Sequence, residues 1–315
     1  MVKKLLLFLC FALGLTLAYL IVLRKDLTLS KAYVKQKYSL PNSKFLNWKG
    51  GEIHYTESGS GFPILMIHGF GGSNRDFYIL DSLVNQHYRV IRVDLPGFGL
   101  SDFPKQTSQD VDFTKEYDDY FNFILDTLHL DSCYVMGNSL GGMMAWNLTV
   151  KHPSVVKKLI LFNSAGYDME AVSKTANAYI FRYKFVQLLL HRGIPKFATA
   201  KGVGRVFYSP RLLTDEKVQR LNDFWNREGN LPHILAMASS TNYLDQNLIK
   251  QITCPTLIVW GKYDKIVSPE YAERFHSDIK GSHVIIYDSC GHVPMMERPT
   301  EVQRDVLFFL NDKLR

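Results

Sequence analysis

Six short apolar runs rich in β-branched residues recur along the chain, at residues 64–67, 90–93, 134–136, 159–162, 256–260 and 284–287, each closed by turn residues. Runs that are apolar on both faces predict parallel strands covered by helices. Helical periodicity lies between several of them. Residues 113–130 form one such stretch, and residues 299–313 form another, opened by Pro299 and carrying Val302, Val306, Phe309 and Leu310 on one face. This alternation predicts a mostly parallel, doubly wound α/β domain.

The alternation breaks at residues 167–250, where helical periodicity and loops continue without a convincing strand. A helical lid is therefore expected, inserted between core segments 45–166 and 251–315, with residues 26–44 as a linker. Within the lid, residues 179–192 are apolar around most of a helical wheel, and Lys184, Gln187 and His191 form a narrow polar strip. That pattern fits a helix lining an acyl pocket and an ordinary buried lid helix equally. The pair Gly202 and Gly204 lacks the strand and the further glycines of a nucleotide loop.

Ahead of all this, residues 5–23 form an uncharged stretch of 19 residues with nine Leu, bounded by Lys3 and Lys4 and by Arg24 and Lys25. At about 1.5 Å per residue it spans roughly 28 Å as a helix, close to the ~30 Å hydrocarbon core of a bilayer. It reads as a membrane anchor over residues 1–25. The competing reading is a cleaved secretory signal ending near Thr16-Leu17-Ala18, but the apolar run continues well past that point. The cations that follow the stretch favour a cytoplasmic catalytic domain, whereas a short basic tail before it is also how exported proteins begin, so the side of the membrane stays open.

Composition narrows the function classes. The chain has 315 residues and a formal charge of +7, of which Lys3, Lys4, Arg24 and Lys25 supply four, leaving residues 26–315 with 33 cations against 30 acids. That excess is too small for binding nucleic acid by phosphate neutralisation. The basicity is local: residues 171–214 carry eight cations and no acid. Such a span can lie against an anionic lipid surface or simply be solvated. Cys10, Cys133, Cys254 and Cys290 show neither zinc-site spacing nor disulfide density and read as ordinary buried thiols. No oligomeric state follows from any of this.

Candidate chemistry begins with Gly137-Asn138-Ser139-Leu140-Gly141, a G-x-S-x-G pentamer between an expected strand and an expected helix. The motif describes a sharp turn that lifts a serine hydroxyl above the sheet. A serine hydroxyl needs a base to take its proton and an acid to orient that base. His292, in the loop after the run at residues 284–287, fits the base; His283 would sit at the opposite edge of the sheet, and His129 and His152 read as capping or surface residues. Asp264, just past the run at residues 256–260, fits the acid, with Asp245 as an alternative at the wrong end of that strand. The order serine, aspartate, histidine matches the motif's usual setting. Backbone N–H groups of Leu140 and of Phe70, in the glycine-rich turn His68-Gly69-Phe70-Gly71-Gly72, are candidates for an oxyanion hole. His68 itself reads as a structural residue holding this turn. Asn147-Leu148-Thr149 is a glycosylation sequon on a helix that should be buried, and it is disregarded.

Taken together, the His68–Gly71 turn, residues 94–102, the Ser139 pentamer, the Trp260–Asp264 segment and residues 290–299 strongly resemble the α/β-hydrolase superfamily, over residues 45–166 and 250–315. The anchor and the ending Gly291-His292-Val293-Pro294-Met295-Met296-Glu297 resemble membrane-attached monoacylglycerol lipases and related bacterial lipases. The resemblance implies a carboxylic ester hydrolase that uses no cofactor or metal and acts on a lipid or other ester through an acyl-enzyme on Ser139. A small-ester carboxylesterase is a variant of that expectation. A closer rival is the carbon-carbon hydrolases of meta-cleavage type, which share the triad but typically carry tryptophan after the catalytic histidine, where this chain has Val293. A serine at 139 argues against the dehalogenases and epoxide hydrolases, which place aspartate there. A non-catalytic binding module is also possible on such a fold, but no triad member is missing.

Overall fold

The computed structural model describes residues 3, 6, 10–16, 25–104, 112–169, 183–240 and 244–314. Helix α1 (Lys31–Tyr38) leads into a hairpin of β1 (Ser43–Trp48) and β2 (Gly51–Ser58). Its two-residue turn places Lys49 at φ 47° and Gly50 at φ 77°, the left-handed pair that matches strand twist. Then follow β3 (Pro63–Ile67), α2 (Tyr78–Val84), β4 (Arg89–Val93), α3 (Phe113–Thr127), β5 (Cys133–Asn138), α4 (Leu140–Lys151) and β6 (Val156–Phe162). The lid contains α5 (Lys184–Leu190), α6 (Lys196–Val203), α7 (Asp215–Trp225) and α8 (Asn230–Ser239). The chain closes with β7 (Thr256–Gly261), α9 (Glu270–Asp278), β8 (His283–Tyr287), α10 (Pro294–Glu297) and α11 (Pro299–Leu310).

The strands form one eight-stranded sheet in the order β1-β2-β4-β3-β5-β6-β7-β8. The β1/β2 and β2/β4 pairs are antiparallel and the others parallel. All six apolar runs of the sequence became β3 to β8. The strands that periodicity did not reveal, β1 and β2, lie at the sheet edge; β1 is only partly covered, and β2 buries His54 and Thr56. Polar and half-exposed edge strands carry no apolar run to read.

Alternation along β3 shows how the two cores arise. Leu65 and Ile67 face the layer of α3, α4 and α9, with Tyr120, Trp146 and Phe275. Ile64 and Met66 face α2 and α11, with Leu80, Val84, Val302 and Val306. Each of these aliphatic side chains contributes about 1.5–3 kcal/mol by full burial, and both faces must be covered, which is why the strands read as unbroken apolar runs.

Residues 26–44 are not a bare linker. Ser30 caps α1 by accepting from Tyr33 N–H at 3.3 Å, and Val34 is fully buried against Leu100 and Phe224. Lys37 and the Tyr38 hydroxyl both reach Asp223 of the lid, at 2.8 and 2.7 Å. β1 begins inside the same segment. It braces the core to the lid. The lid, as expected, has no strand among its described residues, only an isolated bridge of Arg227 to Leu29.

Helix α5 departs from the buried-lid-helix reading of its pattern, since none of its residues is buried; residues 179–182 of that pattern lie outside the described residues. Two thiols also differ from expectation, since Cys10 is exposed and Cys254 half-buried, while Cys133 and Cys290 are buried. Of residues 5–23, Leu6 and residues 10–16 are helical, and the rest of the proposed anchor lies outside the described residues. No helix among the described residues is long and apolar enough to cross a membrane.

Asp102 is the main tie between core, lid and α1. It accepts from buried Arg227 at 2.8 Å and pairs with Lys31 at 2.9 Å, and it also accepts from Glu52 N–H at 3.1 Å. Burial pushes its carboxyl up, but the bonds from Lys31 and Glu52 and the Arg227 charge outweigh that and hold it below the usual range. Its stabilising contribution is therefore complete above the unfolded value near pH ~4 and lost as pH falls through the lower folded value. Asp102→Ala, which leaves the Arg227 charge buried and short of a partner, is expected to cost on the order of 3 kcal/mol at pH 7. The gap from wild type should narrow as pH falls below about 4. Urea denaturation at neutral and acid pH checks this; a variant as stable as wild type at pH 7 contradicts it.

Candidate active site

Where β5 meets α4, the chain turns at Ser139 with φ 55° and ψ −116°. That backbone costs a non-glycine residue on the order of 1–3 kcal/mol and persists only where its surroundings fix it. Here Ser139 N–H donates to Phe162 O at 3.0 Å, and Ser139 O accepts from Met143 and Ala165 N–H, both at 3.0 Å. Glycines permit the crowding. A methyl on Gly137 would collide with the Gly141 carbonyl, and one on Gly141 with the carbonyls of Ile67 and His68. A Cβ on Gly69 would lie 3.2 Å from Ser139 Cβ, so the turn after β3 touches the serine.

The other two residues come from the carboxyl ends of β7 and β8. His292 Nδ1 lies 2.7 Å from Asp264 Oδ2, and both residues are buried. With a carboxylate as acceptor, Nδ1 carries the proton and Nε2 is left with its lone pair, the tautomer a general base requires. Asp264 is itself fixed: Oδ1 accepts from Ile266 and Val267 N–H at 2.7 and 3.1 Å. The residue before the serine ties the groups together, because Asn138 Nδ2 donates to Phe162 O at 3.1 Å and to His292 O at 3.0 Å.

Leu140 N–H is the first of α4 and has no intrahelical acceptor. Among the described residues, neither it nor Phe70 N–H donates a backbone hydrogen bond. Both are thus free to face developing negative charge. His68 holds the Phe70 turn and uses both ring nitrogens: Nδ1 meets Gly69 O at 2.7 Å, and Nε2 accepts from Leu95 N–H at 2.9 Å. Asp94 is a structural turn residue, accepting from Asn74 and Leu100 N–H at 2.6 and 2.8 Å. His283 starts β8 opposite Leu257, at the far end of the sheet. Asp245 caps the turn at Asn247 N–H, 2.9 Å away, and does not approach His292. No group of three potential metal-binding side chains occurs among the described residues.

Three partners escaped the sequence. Asn163, at φ 43° after β6, donates through Nδ2 to Asp264 Oδ2 at 2.6 Å. A polar residue directly after a strand run is the same signal that located Asp264, and it was readable. The others belong to the lid and to α10, where no spacing announced them. His292 N–H donates to Val206 O of the lid at 2.8 Å. Glu297 then spans the seam, accepting from Gly291 N–H at 2.7 Å and Tyr208 N–H at 2.8 Å. Burial pushes the Glu297 carboxyl up against the pull of those N–H groups.

The family comparison agrees with this layout: residues 63–299 match the model of the alpha/beta hydrolase fold. A 2-hydroxy-6-oxo-6-(2'-aminophenyl)hexa-2,4-dienoic acid hydrolase from Metapseudomonas resinovorans is 28% identical, over 85% of this chain and 90% of its own length. Lipase 1 from Psychrobacter immobilis is 29% identical, over 84% of this chain and 82% of its own. A solved meta-cleavage product hydrolase from Pseudomonas fluorescens superposes with a TM-score of 0.72 at 22% identity, covering 86% of this chain and 98% of its own.

Replacing Glu297 by Gln leaves one oxygen for two N–H donors, so one of them loses its acceptor. Glu297→Gln should lower kcat/KM on the order of tenfold or more by loosening the His292 loop, with the circular dichroism spectrum retained. A variant within twofold of wild type contradicts this.

Proposed function

Because this chain belongs to the α/β-hydrolase-fold family, we propose that it is a serine hydrolase whose nucleophile is Ser139. The observation that carries this reading is the strained Ser139 turn joined, through Asn138 and His292 O, to the 2.7 Å His292–Asp264 pair. Ser139 Oγ attacks a carbonyl carbon while His292 Nε2 takes its proton and Asp264 holds the imidazole. The N–H groups of Phe70 and Leu140 stabilise the oxyanion, a contribution of about 3 kcal/mol per donor in comparable sites. His292 returns the proton to the leaving group, and water then releases the acyl product from Ser139.

Two leaving groups fit this machinery. The relatives named as dienoic acid hydrolases, and the similarity to a meta-cleavage product hydrolase, support cleavage of a carbon-carbon bond, in which the proton goes to a carbon stabilised by conjugation. The lipase relative supports cleavage of a carboxylic ester, with the proton going to an alcohol. Val293, in place of the tryptophan that carbon-carbon hydrolases typically carry, also favours the ester, as does the apolar stretch at residues 5–23. On the relatives alone, carbon-carbon hydrolysis is the better supported chemistry. A lipid ester such as monoacylglycerol, presented at a membrane to which residues 5–23 anchor the enzyme, is the reading the chain's own features favour. Neither reading calls for a cofactor or nucleic acid.

The separating experiment measures loss of a conjugated 2-hydroxy-6-oxo-dienoate chromophore alongside release from p-nitrophenyl esters of two to sixteen carbons and from monoacylglycerol. Under either reading Ser139→Ala loses on the order of a thousandfold or more. Serine-dependent turnover of the dienoate alone establishes the first reading, turnover of medium or long esters establishes the second, and near-normal activity of Ser139→Ala contradicts both. Backbone pairing of the amino-terminal segment with the lid begins at Leu27, so removing residues 1–24 should give an active enzyme that a high-salt wash releases from membranes while the full chain stays; a truncated chain that stays with membranes through that wash contradicts the anchor.

A further inference from the structure

Helix α5 and the start of α6 both pack on Ile194, Leu231 and Leu235, through Leu190 and Ala198, and together they carry a face of large apolar side chains that stay exposed. None of the residues of α5 is buried, and Phe185, Leu188 and Phe197 are 48%, 50% and 76% exposed. Clustered exposure of large apolar side chains marks an interaction surface. Its electrostatics are one-sided: residues 183–214 carry Lys184, Arg192, Lys196, Lys201, Arg205 and Arg211 and no Asp or Glu. Lys196 pairs with Asp215, outside that span.

The amino-terminal segment joins the domain beside this same face. Leu27 N–H donates to Arg192 O at 2.8 Å, Leu29 N–H to Asn226 O at 2.8 Å, and Glu228 N–H to Leu29 O at 2.8 Å. A Cβ on Gly193 would stand 2.7 Å from Leu27 Cβ, so the packing is close. Residues 5–23 end four residues before Leu27, and four residues span at most about 14 Å. Covalent connection alone therefore keeps the end of the apolar stretch within that distance of Leu27, which is itself bonded to Arg192 just past α5.

We propose that this lid face docks on the surface of an anionic lipid bilayer, alongside residues 5–23. Two other occupants fit the apolar side chains but not the charges. A second copy would bring together two faces whose span 183–214 carries six cations and no acid, with Asp26 beside Arg192 and Asp215 on Lys196 offsetting only part of that charge. The chain's own residues 1–25, with Lys3, Lys4, Arg24 and Lys25 and no acid, would add cations to cations. Anionic headgroups over a hydrocarbon layer satisfy both, and each cation held near such a surface strengthens binding about fivefold. The inference does not depend on which bond the enzyme hydrolyses.

The test uses the full chain carrying Cys10→Ser and Phe197→Cys, labelled at position 197 with a polarity-sensitive nitrobenzoxadiazole dye. A chain with Cys10→Ser alone supplies the background from Cys254, and one with Ser154→Cys, ahead of β6, supplies an exposed control. With vesicles of phosphatidylcholine containing about a third phosphatidylglycerol, a blue shift at 197 but not at 154 is expected. Adding Lys184→Glu and Lys201→Glu should weaken the lipid dependence of that shift at least tenfold. Emission at 197 that stays aqueous while the chain floats with the vesicles overturns the proposal. So does a shift already present without lipid, which assigns the face to a second copy if it grows with protein concentration and to residues 5–23 if it does not. Loss of turnover in the substrate panel would sink the hydrolase reading and leave the dye result standing.

Discussion

Everything at the carboxyl edge of the sheet is arranged around one strained residue. Ser139 occupies a backbone that a side chain resists, and the resistance is overcome because β5, α4 and the turn after β3 meet there through glycines. The hydrogen bonds that hold it use Phe162 at the end of β6, Ala165 just beyond, and Met143 in the first turn of α4. Beside it, the N–H groups of Leu140 and Phe70 donate no backbone hydrogen bond among the described residues. The strain at Ser139 and the candidate site around it follow from a single close approach of three backbones.

The lid is part of this arrangement. Trp225 donates to Gly71 O at 2.7 Å, pinning the turn after β3, and Val206 and Glu297 hold the backbone of the His292 loop. Both halves of the candidate site thus take part of their geometry from residues 204–225. The α1 brace, anchored by Val34 and Asp223, fixes that lid to the core from outside. A displacement of the lid would therefore move the His292 loop that Val206 holds.

The sequence made legible what depends on local pattern. Six runs apolar on both faces became the six strands β3 to β8, and the strand-end logic placed Ser139, Asp264 and His292 at one edge. It missed what depends on tertiary contact. β1 and β2 bury only one face or bury polar groups, so no apolar run marks them. The segment at residues 26–44, expected as a linker, buries Val34 and pairs Lys37 with Asp223. Val206 acts through its backbone carbonyl on a loop distant in the chain, which leaves no trace in residue type, and the Glu297 carboxylate takes one of its two N–H donors from Tyr208 of the lid, a partner that only the fold supplies. Helix α5 shows the limit of periodicity from the other side, since an apolar wheel states a preference for burial without naming what does the burying.

The central claim is that Ser139 is a nucleophile made reactive by His292. Intact-mass and peptide mass spectrometry after brief exposure to a fluorophosphonate would test it most directly, comparing wild type with His292→Ala. The account predicts a single adduct, located on Ser139, that forms orders of magnitude more slowly in the histidine variant. An adduct on another residue, or equal labelling of both proteins, would contradict it.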